Sequence, residues 1–332
     1  AETHRITYNP KNEILITVGV SEGLDLALRT ILSPGDEVLI PEPSYVSYAP
    51  CITLAGGKPV YLKTSVENGF QVTAEMVEKA ITPATKVLLL CYPNNPTGAT
   101  ISRERLLEIM EVVKAHDLIV ISDEIYEKLT YVGEHTCVSS LPGMRDRTIL
   151  LNGFSKSYAM TGWRVGYAAG NPDFIAAMKK IHQYTMLCAP ITAQIAALEA
   201  LKNGKNEMKK MIEQYRQRRR LGLHAFQEMG LPCFEPGGAF YAFPEIQMTG
   251  LSSEEFAEQL LKEAKVAVVP GNAFGGQGEG FIRCSYATSV NDLTEAFKRM
   301  NQFLKRRLGR GRVLKASFGK LETIKEGKCQ SL

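Results

Sequence analysis

Short apolar runs alternate with amphipathic stretches along the first two hundred residues. Five runs rich in Val, Ile and Leu predict buried strands: Glu37–Ile40, Pro59–Leu62, Lys86–Cys91, Leu118–Ser122 and Thr148–Leu151. Ser102–His116 begins with a capping serine and repeats its apolar residues at helical spacing, and Thr73–Ile81 is a shorter candidate helix. This alternation predicts an α/β fold with a mostly parallel sheet covered by helices on both faces.

The pattern changes after about residue 200. Lys205–Met229 predicts one long charged helix, and Ser252–Ala264 predicts a second, opened by a capping box of Ser252 and Glu255. The other predicted elements are three strands and a last helix: Gly238–Phe243, Val266–Val269, Phe281–Tyr286 and Asp292–Arg306. We therefore predict a large domain over residues 1–203, a smaller α+β domain over 204–307, and a tail over 308–332.

Composition and charge narrow the class of protein. The chain has 332 residues, 45% hydrophobic and 22% charged, which is typical of a globular protein with a sizeable core. Neither a transmembrane-length apolar run nor a signal peptide is visible, so we expect no membrane partner. From Lys305 onward, nine basic and two acidic residues carry +7, so the total of +4 leaves −3 for the rest. A mildly acidic body predicts no nucleic-acid partner.

The cysteines and histidines suggest neither a disulfide framework nor a metal site. The seven cysteines are odd in number, widely spread and without a CxxC pair, and the five histidines show no ligand spacing. Free thiols of this kind favour a reducing compartment, and we expect a cytoplasmic protein.

The segment over residues 152–167, NGFSKSYAMTGWRVGY, carries the strongest chemical signal. Lys156 follows a predicted buried strand, where open α/β sheets bind their ligands. Desolvation there would lower the pKa of its amine and leave the nucleophile that Schiff-base chemistry requires. Arg164, eight residues later, has the planar fork that binds two phosphate oxygens at once. The ordinary alternative is a surface lysine after a strand.

This segment resembles the cofactor-lysine signature of fold-type I pyridoxal-phosphate (PLP) enzymes, specifically the class I/II aminotransferases. The phrase MTGWR and the spacing from Lys156 to Arg164 carry the resemblance, which runs from about residue 9 to about residue 306. It is strongest to bacterial and archaeal aromatic or broad-specificity aminotransferases. It implies PLP as cofactor, a three-layer large domain and a homodimer. Family members have an N-terminal segment before the point where this chain begins, so it also implies a truncated chain.

Two more motifs match the family after predicted strands. In PNNPTG, Asn95 precedes a proline and is held extended. The resemblance implies that Asn95 contacts the ring oxygen of the cofactor and the substrate carboxylate, with an Asn–Pro bond that is often cis. In SDEIY, it implies that Asp123 faces the ring nitrogen and Tyr126 the ring oxygen. Alone, these residues would fit an Asn–Pro turn and a helix cap.

The remaining cofactor contacts are implied by two weaker motifs. TVGVSEGL leads into an apolar helix whose N-terminus would bind the cofactor phosphate, and PSYVSY supplies a ring that would stack on the cofactor. The residues implied for the phosphate and the ring are Gly19, Val20, Ser21, Tyr45, Ser155 and Arg164. A helix start without a ligand and a buried core tyrosine are the alternatives.

The phrase FIRCSYATS puts Arg283 in an otherwise apolar strand, where a buried charge needs a partner. The resemblance implies that Arg283 binds the substrate α-carboxylate, whereas the alternative is a structural ion pair. The segment PGGAFYAF, over residues 236–243, also matches the family but suggests no particular chemistry.

These residues predict a PLP-dependent aminotransferase with Lys156, Asp123 and Tyr126 as catalytic residues. It would move the amino group of an L-amino acid, aromatic or of broad specificity, to a 2-oxo acid such as 2-oxoglutarate by a ping-pong mechanism. The sequence has no marker for the second arginine of strict aspartate enzymes, but an aspartate aminotransferase stays open. A β-lyase of the same fold and an inactive PLP-binding remnant are further alternatives.

Overall fold

A computed structural model of the protein describes residues 6–308. The predicted basic tail, 308–332, lies outside this range apart from its first residue. Within the described range the chain forms two β-sheets, both flanked by helices. None of the helices in this range combines the length and the apolar character needed to cross a bilayer.

The larger sheet contains seven strands within residues 6–308. They are β1 (Ile14–Thr17), β2 (Glu37–Glu42), β3 (Lys58–Lys63), β4 (Thr85–Leu90), β5 (Ile119–Asp123), β6 (Thr148–Gly153) and β7 (Gly166–Ala169). Their order is β1-β7-β6-β5-β4-β2-β3. Strands β2 to β6 pair in parallel, and β7 is antiparallel to both of its neighbours. The predicted α/β class with a mostly parallel sheet is confirmed.

Helices cover both faces of this sheet because its central strands are apolar on both sides. Successive residues of β4 enter opposite cores: Val87 and Leu89 pack in one cluster, and Leu88 and Leu90 in the other. The helices of this region are α1 (Gly19–Ile31), α2 (Tyr48–Leu54), α3 (Ala74–Ala80), α4 (Arg103–Ala115), α5 (Phe154–Ser157), α6 (Pro172–Thr185) and α7 (Ile191–Asn203). Ser102 caps α4 as predicted, since its hydroxyl accepts the Arg105 N–H at 3.2 Å.

The smaller sheet is antiparallel, with order β8-β10-β9. Its strands are β8 (Tyr241–Ala242), β9 (Val269–Pro270) and β10 (Ile282–Ser285), and its helices are α8 (Lys205–Met229), α9 (Ser253–Ala264) and α10 (Val290–Leu308). The capping box of α9 is confirmed: Ser252 Oγ accepts the Glu255 N–H at 3.3 Å, and Glu255 Oε2 accepts the Ser252 N–H at 2.9 Å. The division into domains at residue 203 stays a prediction.

Two predicted strands of this region were too long. Val266–Val269 is wrong for its first three residues, because β9 begins only at Val269. Val266 is buried in the core without ladder pairing, so its apolar character reflects side-chain packing. Of the predicted strand Gly238–Phe243, only Tyr241–Ala242 forms a strand, and Gly238 makes an isolated bridge with Thr130.

Candidate active site

A cavity of about 410 Å³ opens at the carboxyl ends of the parallel strands, a size suited to a small cofactor with its substrate. Most of the predicted site residues line it: Val20, Ser21, Tyr45, Asn95, Asp123, Tyr126, Ser155, Lys156, Arg164 and Arg283. Gly19 does not line the cavity but lies directly against Arg164. Parallel strands end at the same edge of a sheet, which is why residues far apart in the chain meet here.

Lys156 lies in the short helix α5, three residues after the end of β6. Its side chain is half-buried in the cavity wall, which does not fit a surface lysine. Burial lowers the pKa of its amine, and the nearby guanidinium groups of Arg164 and Arg283 lower it further. The amine is therefore more easily deprotonated than that of an ordinary lysine.

Asp123 ends β5 and is only 6% exposed. Its Oδ2 accepts the Tyr48 hydroxyl at 2.8 Å, and its Oδ1 accepts the Ile125 N–H at 3.2 Å. Burial raises the pKa of this carboxyl to about 6, against the two hydrogen bonds, which lower it. A buried carboxylate of this kind favours a cationic ligand.

Tyr48 is a site residue that the sequence analysis missed. It belongs to the same PSYVSY phrase as Tyr45, and its ring meets that of Tyr45 edge to face at 5.5 Å. Burial and the charge of Asp123 raise its pKa well above the usual value, so its hydroxyl keeps the proton that it donates to Asp123.

The part of the cavity wall formed by the start of α1 and by Arg164 fits an anion. Helix α1 begins here without a side-chain cap, so its first N–H groups are open to a ligand, and Ser21 adds a hydroxyl. The Arg164 guanidinium lies so close to Gly19 that a Cβ there would come within 2.5 Å of Nη2. Gly19 also has φ +75°, a conformation that favours glycine.

Arg283 has no acidic partner among residues 6–308. Its Nη1 donates to Asn95 Oδ1 at 3.0 Å, and its guanidinium carbon lies 4.5 Å from the ring centre of Tyr241 and 4.9 Å from that of Phe274. Its Nε is buried without a hydrogen-bond partner in this range. The structural ion pair considered from the sequence is therefore not formed within the described residues, and the guanidinium can bind a carboxylate ligand. The Asn95–Pro96 bond is cis.

Tyr126 and Tyr45 also line the wall of the cavity. Tyr126 is 5% exposed, and its hydroxyl oxygen lies 3.1 Å from that of Tyr241. Burial raises the pKa of Tyr126 well above its usual value, so it is a hydrogen-bond donor. Tyr45 is half-buried on the cavity wall, so its ring is accessible to a ligand and is not enclosed in the core.

Next to Asp123, the structure brings together Glu124, Glu127 and His135, with potential metal-ligand atoms within 4.8 Å of one another. Glu124 already accepts hydrogen bonds from Ser122 and from the Val138 N–H, and it pairs with His135 at 2.8 Å. This cluster is a hydrogen-bonded network that fixes the turn after β5.

Comparison with known proteins identifies the family. The family model described as Aminotransferase class I and II matches residues 1–300. The chain belongs to this family. Its members use pyridoxal phosphate, and they are transferases, so the predicted enzyme class is confirmed.

Individual aminotransferases match closely over most of their length. “Putative aminotransferase YugH” of Bacillus subtilis is 54% identical over 90% of this chain and 78% of its own. Aromatic-amino-acid aminotransferase 2 of Thermococcus litoralis is 46% identical, over 90% and 78%. The solved aromatic aminotransferase of Pyrococcus horikoshii superposes with a TM-score of 0.90 at 45% identity, covering 92% of this chain and 83% of that one.

The residues present fit the family's cofactor. An uncapped helix start beside Arg164 suits a phosphate, and the buried Asp123 suits a protonated ring nitrogen. Lys156 supplies an amine on the wall of the same cavity.

Proposed function

We propose that this aminotransferase binds PLP and moves the amino group of an L-amino acid, aromatic or of broad specificity, to a 2-oxo acid such as 2-oxoglutarate. The transfer proceeds by a ping-pong cycle of two half-reactions. The observation that carries the proposal is the single cavity that joins Lys156, Asp123 and an arginine, Arg283, without a carboxylate partner in the described range.

The cofactor would be held at three points. The N–H groups at the start of α1, with Ser21, Ser155 and Arg164, would bind its phosphate. Asp123 would pair with its ring nitrogen, and Tyr45 would stack on the ring. Asn95 and Tyr126 would donate hydrogen bonds to the ring oxygen; Asn95 can do so because Arg283 occupies its Oδ1 and leaves its Nδ2 as the donor.

PLP supplies an electron sink that makes the substrate Cα proton acidic, and it carries the amino group between the half-reactions. Lys156 Nζ, whose pKa is lowered by burial, would take the proton from the substrate Cα as general base and deliver it as general acid to C4′, the cofactor carbon that receives the amino group. Asp123 remains ionised while it faces the cationic ring nitrogen. These assignments make Lys156, Asp123 and Tyr126 the catalytic residues.

Arg283 would hold the substrate through two N–H groups on its α-carboxylate. Among the described residues that line the cavity, the cations are Lys156, Arg164 and Arg283, and each has a role in the proposal. None of them is left as a dedicated partner for a side-chain carboxylate, which argues against strict specificity for aspartate and favours an aromatic or broad specificity. The 46% identical relative from Pyrococcus abyssi is named an aspartate aminotransferase, so aspartate belongs in every donor panel.

We also propose a cytoplasmic homodimer. Helix α7 exposes an apolar stripe at helical spacing, each side chain 51–66% exposed: Ile191, Ile195, Leu198 and Leu201. Tyr184 and Leu187, just before this helix, are 91% and 79% exposed. An exposed apolar patch of this extent is typical of an interface, and a second copy would cover it. The cysteines within residues 6–308 are free thiols, which supports a reducing compartment.

The proposal is tested by the absorbance spectrum of the purified chain with PLP, before and after an amino-acid panel. We expect a visible band of lysine-bound cofactor that bleaches with phenylalanine, tyrosine or glutamate. The Lys156→Ala variant should lack this band because it lacks the amine. A wild-type spectrum identical to that of Lys156→Ala would contradict the cofactor assignment, and a band that no donor bleaches would support the inactive remnant.

A further inference from the structure

Tyr241 reaches the active-site cavity from the smaller sheet. It lies in β8, within the PGGAFYAF segment to which the sequence analysis gave no chemistry, and only 7% of it is exposed. Its hydroxyl lies 3.1 Å from the hydroxyl of Tyr126. The guanidinium carbon of Arg283 lies 4.5 Å from the centre of its ring. Tyr241 therefore contacts two site residues through two different parts of its side chain.

The direction of the tyrosine–tyrosine hydrogen bond follows from the donor inventory. A phenol has one O–H to donate and accepts through its oxygen. In the proposed function Tyr126 donates its only proton to the ring oxygen of the cofactor. Its oxygen can then only accept, so the hydroxyl of Tyr241 is the donor. Hydrogen bonds in a chain polarise one another, so this donation strengthens the bond that Tyr126 makes.

The ring of Tyr241 acts on Arg283. The guanidinium carbon also lies 4.9 Å from the centre of the Phe274 ring, so two aromatic rings contact the guanidinium while Nη1 donates to Asn95. Cation–π contacts stabilise a guanidinium without consuming its N–H groups. The N–H groups of Nη2 make no hydrogen bond among the described residues and stay available for a carboxylate, whereas Nε is buried without a partner.

We propose that Tyr241 is a positioning residue with two separable roles: its hydroxyl supports the Tyr126 hydrogen bond to the cofactor, and its ring holds Arg283 for the substrate carboxylate. The proposal rests on the proposed function, because it needs PLP at Tyr126 and a carboxylate at Arg283. A purely structural tyrosine would fill the space beside Phe240, at 4.7 Å between ring centres, and its hydroxyl would matter little.

Two variants separate the two roles. Tyr241→Phe removes the hydroxyl and keeps the ring, whereas Tyr241→Leu removes both. Tyr126→Phe is the reference for complete loss of the phenol hydrogen bond. Tyr61→Phe is the matched control, since Tyr61 is 45% exposed on β3 and does not line the cavity.

Two spectroscopic readouts are used on the PLP-loaded protein. The first is the pH at which the visible band of the lysine-bound cofactor changes, because a hydrogen bond to the ring oxygen favours the deprotonated form. The second is the dissociation constant of 3-phenylpropanoate, a carboxylate that lacks an amino group and so cannot react.

For Tyr241→Phe we expect the spectral transition to move to higher pH by about 0.3–1 pH unit, less than for Tyr126→Phe. The inhibitor dissociation constant should stay within about twofold of wild type, because the ring remains. For Tyr241→Leu we expect the same spectral shift with about 5- to 30-fold weaker inhibitor binding.

A Tyr241→Phe transition at the wild-type pH would overturn the hydroxyl role, and wild-type inhibitor binding by Tyr241→Leu would overturn the ring role. Both outcomes presuppose a normal cofactor band in wild type and in Tyr61→Phe. A wild type that forms no such band contradicts the proposed function instead, so the two failures are distinguishable.

Discussion

The contact between Tyr48 and Asp123 leads to the sharpest prediction about cofactor binding. Tyr48 is 1% exposed and donates to Asp123 Oδ2 at 2.8 Å, so Tyr48→Phe leaves the carboxylate with the Ile125 N–H as its remaining hydrogen-bond donor among the described residues. A hydrogen bond to a charged group contributes about 1.5–3 kcal/mol. If Asp123 binds the cationic ring nitrogen, we expect the dissociation constant of PLP at pH 7 to rise about 10- to 100-fold.

The same substitution should also change how PLP affinity depends on pH, in a direction that follows from the pKa of Asp123. The pKa of Asp123 is about 6 with Tyr48 present, and this hydrogen bond is one of the effects that lower it. Without the hydroxyl the pKa rises, so the carboxylate is protonated at a higher pH as the pH falls. PLP affinity should therefore be lost at a higher pH in Tyr48→Phe than in wild type.

The assay is a PLP titration followed by cofactor absorbance from pH 5.5 to 8.5. Wild type and Tyr48→Phe both contain Lys156, so the ratio of their dissociation constants for PLP isolates the effect of the substitution on Asp123. Tyr92→Phe is the matched control, because Tyr92 also has a buried hydroxyl, bonded to Phe70 and Val72 at 3.0 Å in the other core. The reasoning is refuted if Tyr48→Phe binds PLP as Tyr92→Phe does at every pH.

Two further predictions concern stability and assembly. In the cofactor-free chain, Asp123→Asn should be more stable than wild type by up to about 3 kcal/mol at pH 8, measured by urea unfolding. The pKa of Asp123 in the folded state, about 6, lies above the usual 3.8, so the ionised carboxylate lowers the free energy of unfolding of wild type, most fully above pH 6. The stability advantage of Asp123→Asn should therefore vanish below about pH 4, where the carboxyl is protonated in both the folded and the unfolded state. Leu198→Glu on α7 should convert the dimer to monomers in sedimentation analysis; Leu261→Glu on α9, at a similarly exposed leucine (51% and 50%), should not.

Much of the fold and of the candidate site could be predicted because both depend on local patterns. β2 to β6 are apolar runs; Asp123 ends one of them, and Asn95 and Lys156 closely follow two others. Carboxyl ends of parallel strands share one edge, so these three residues had to be neighbours. The structure confirms that they line one cavity, while their chemical roles stay a proposal.

Other features depend on long-range packing that no local pattern shows. Strand β7, GYAA, lacks a β-branched residue, and its Gly166 is needed because a Cβ there would come within 2.8 Å of the Val20 nitrogen. The Tyr48–Asp123 bond spans 75 residues and the Tyr126–Tyr241 contact spans 115. Val266 shows the opposite case, an apolar residue that packs in the core without joining a strand.

The proposed transfer of an amino group from an amino acid to a 2-oxo acid can be followed directly with a labelled amino group. The PLP-loaded protein is incubated with ¹⁵N-labelled phenylalanine and unlabelled 2-oxoglutarate, and the products are identified by mass spectrometry, with Lys156→Ala as control. We expect ¹⁵N-glutamate and phenylpyruvate in equal amounts with wild type and neither product with Lys156→Ala. The incubation is repeated with each other donor of the panel in labelled form, and labelled ammonia without labelled glutamate from every donor that reacts would contradict the proposed transfer and favour lyase chemistry.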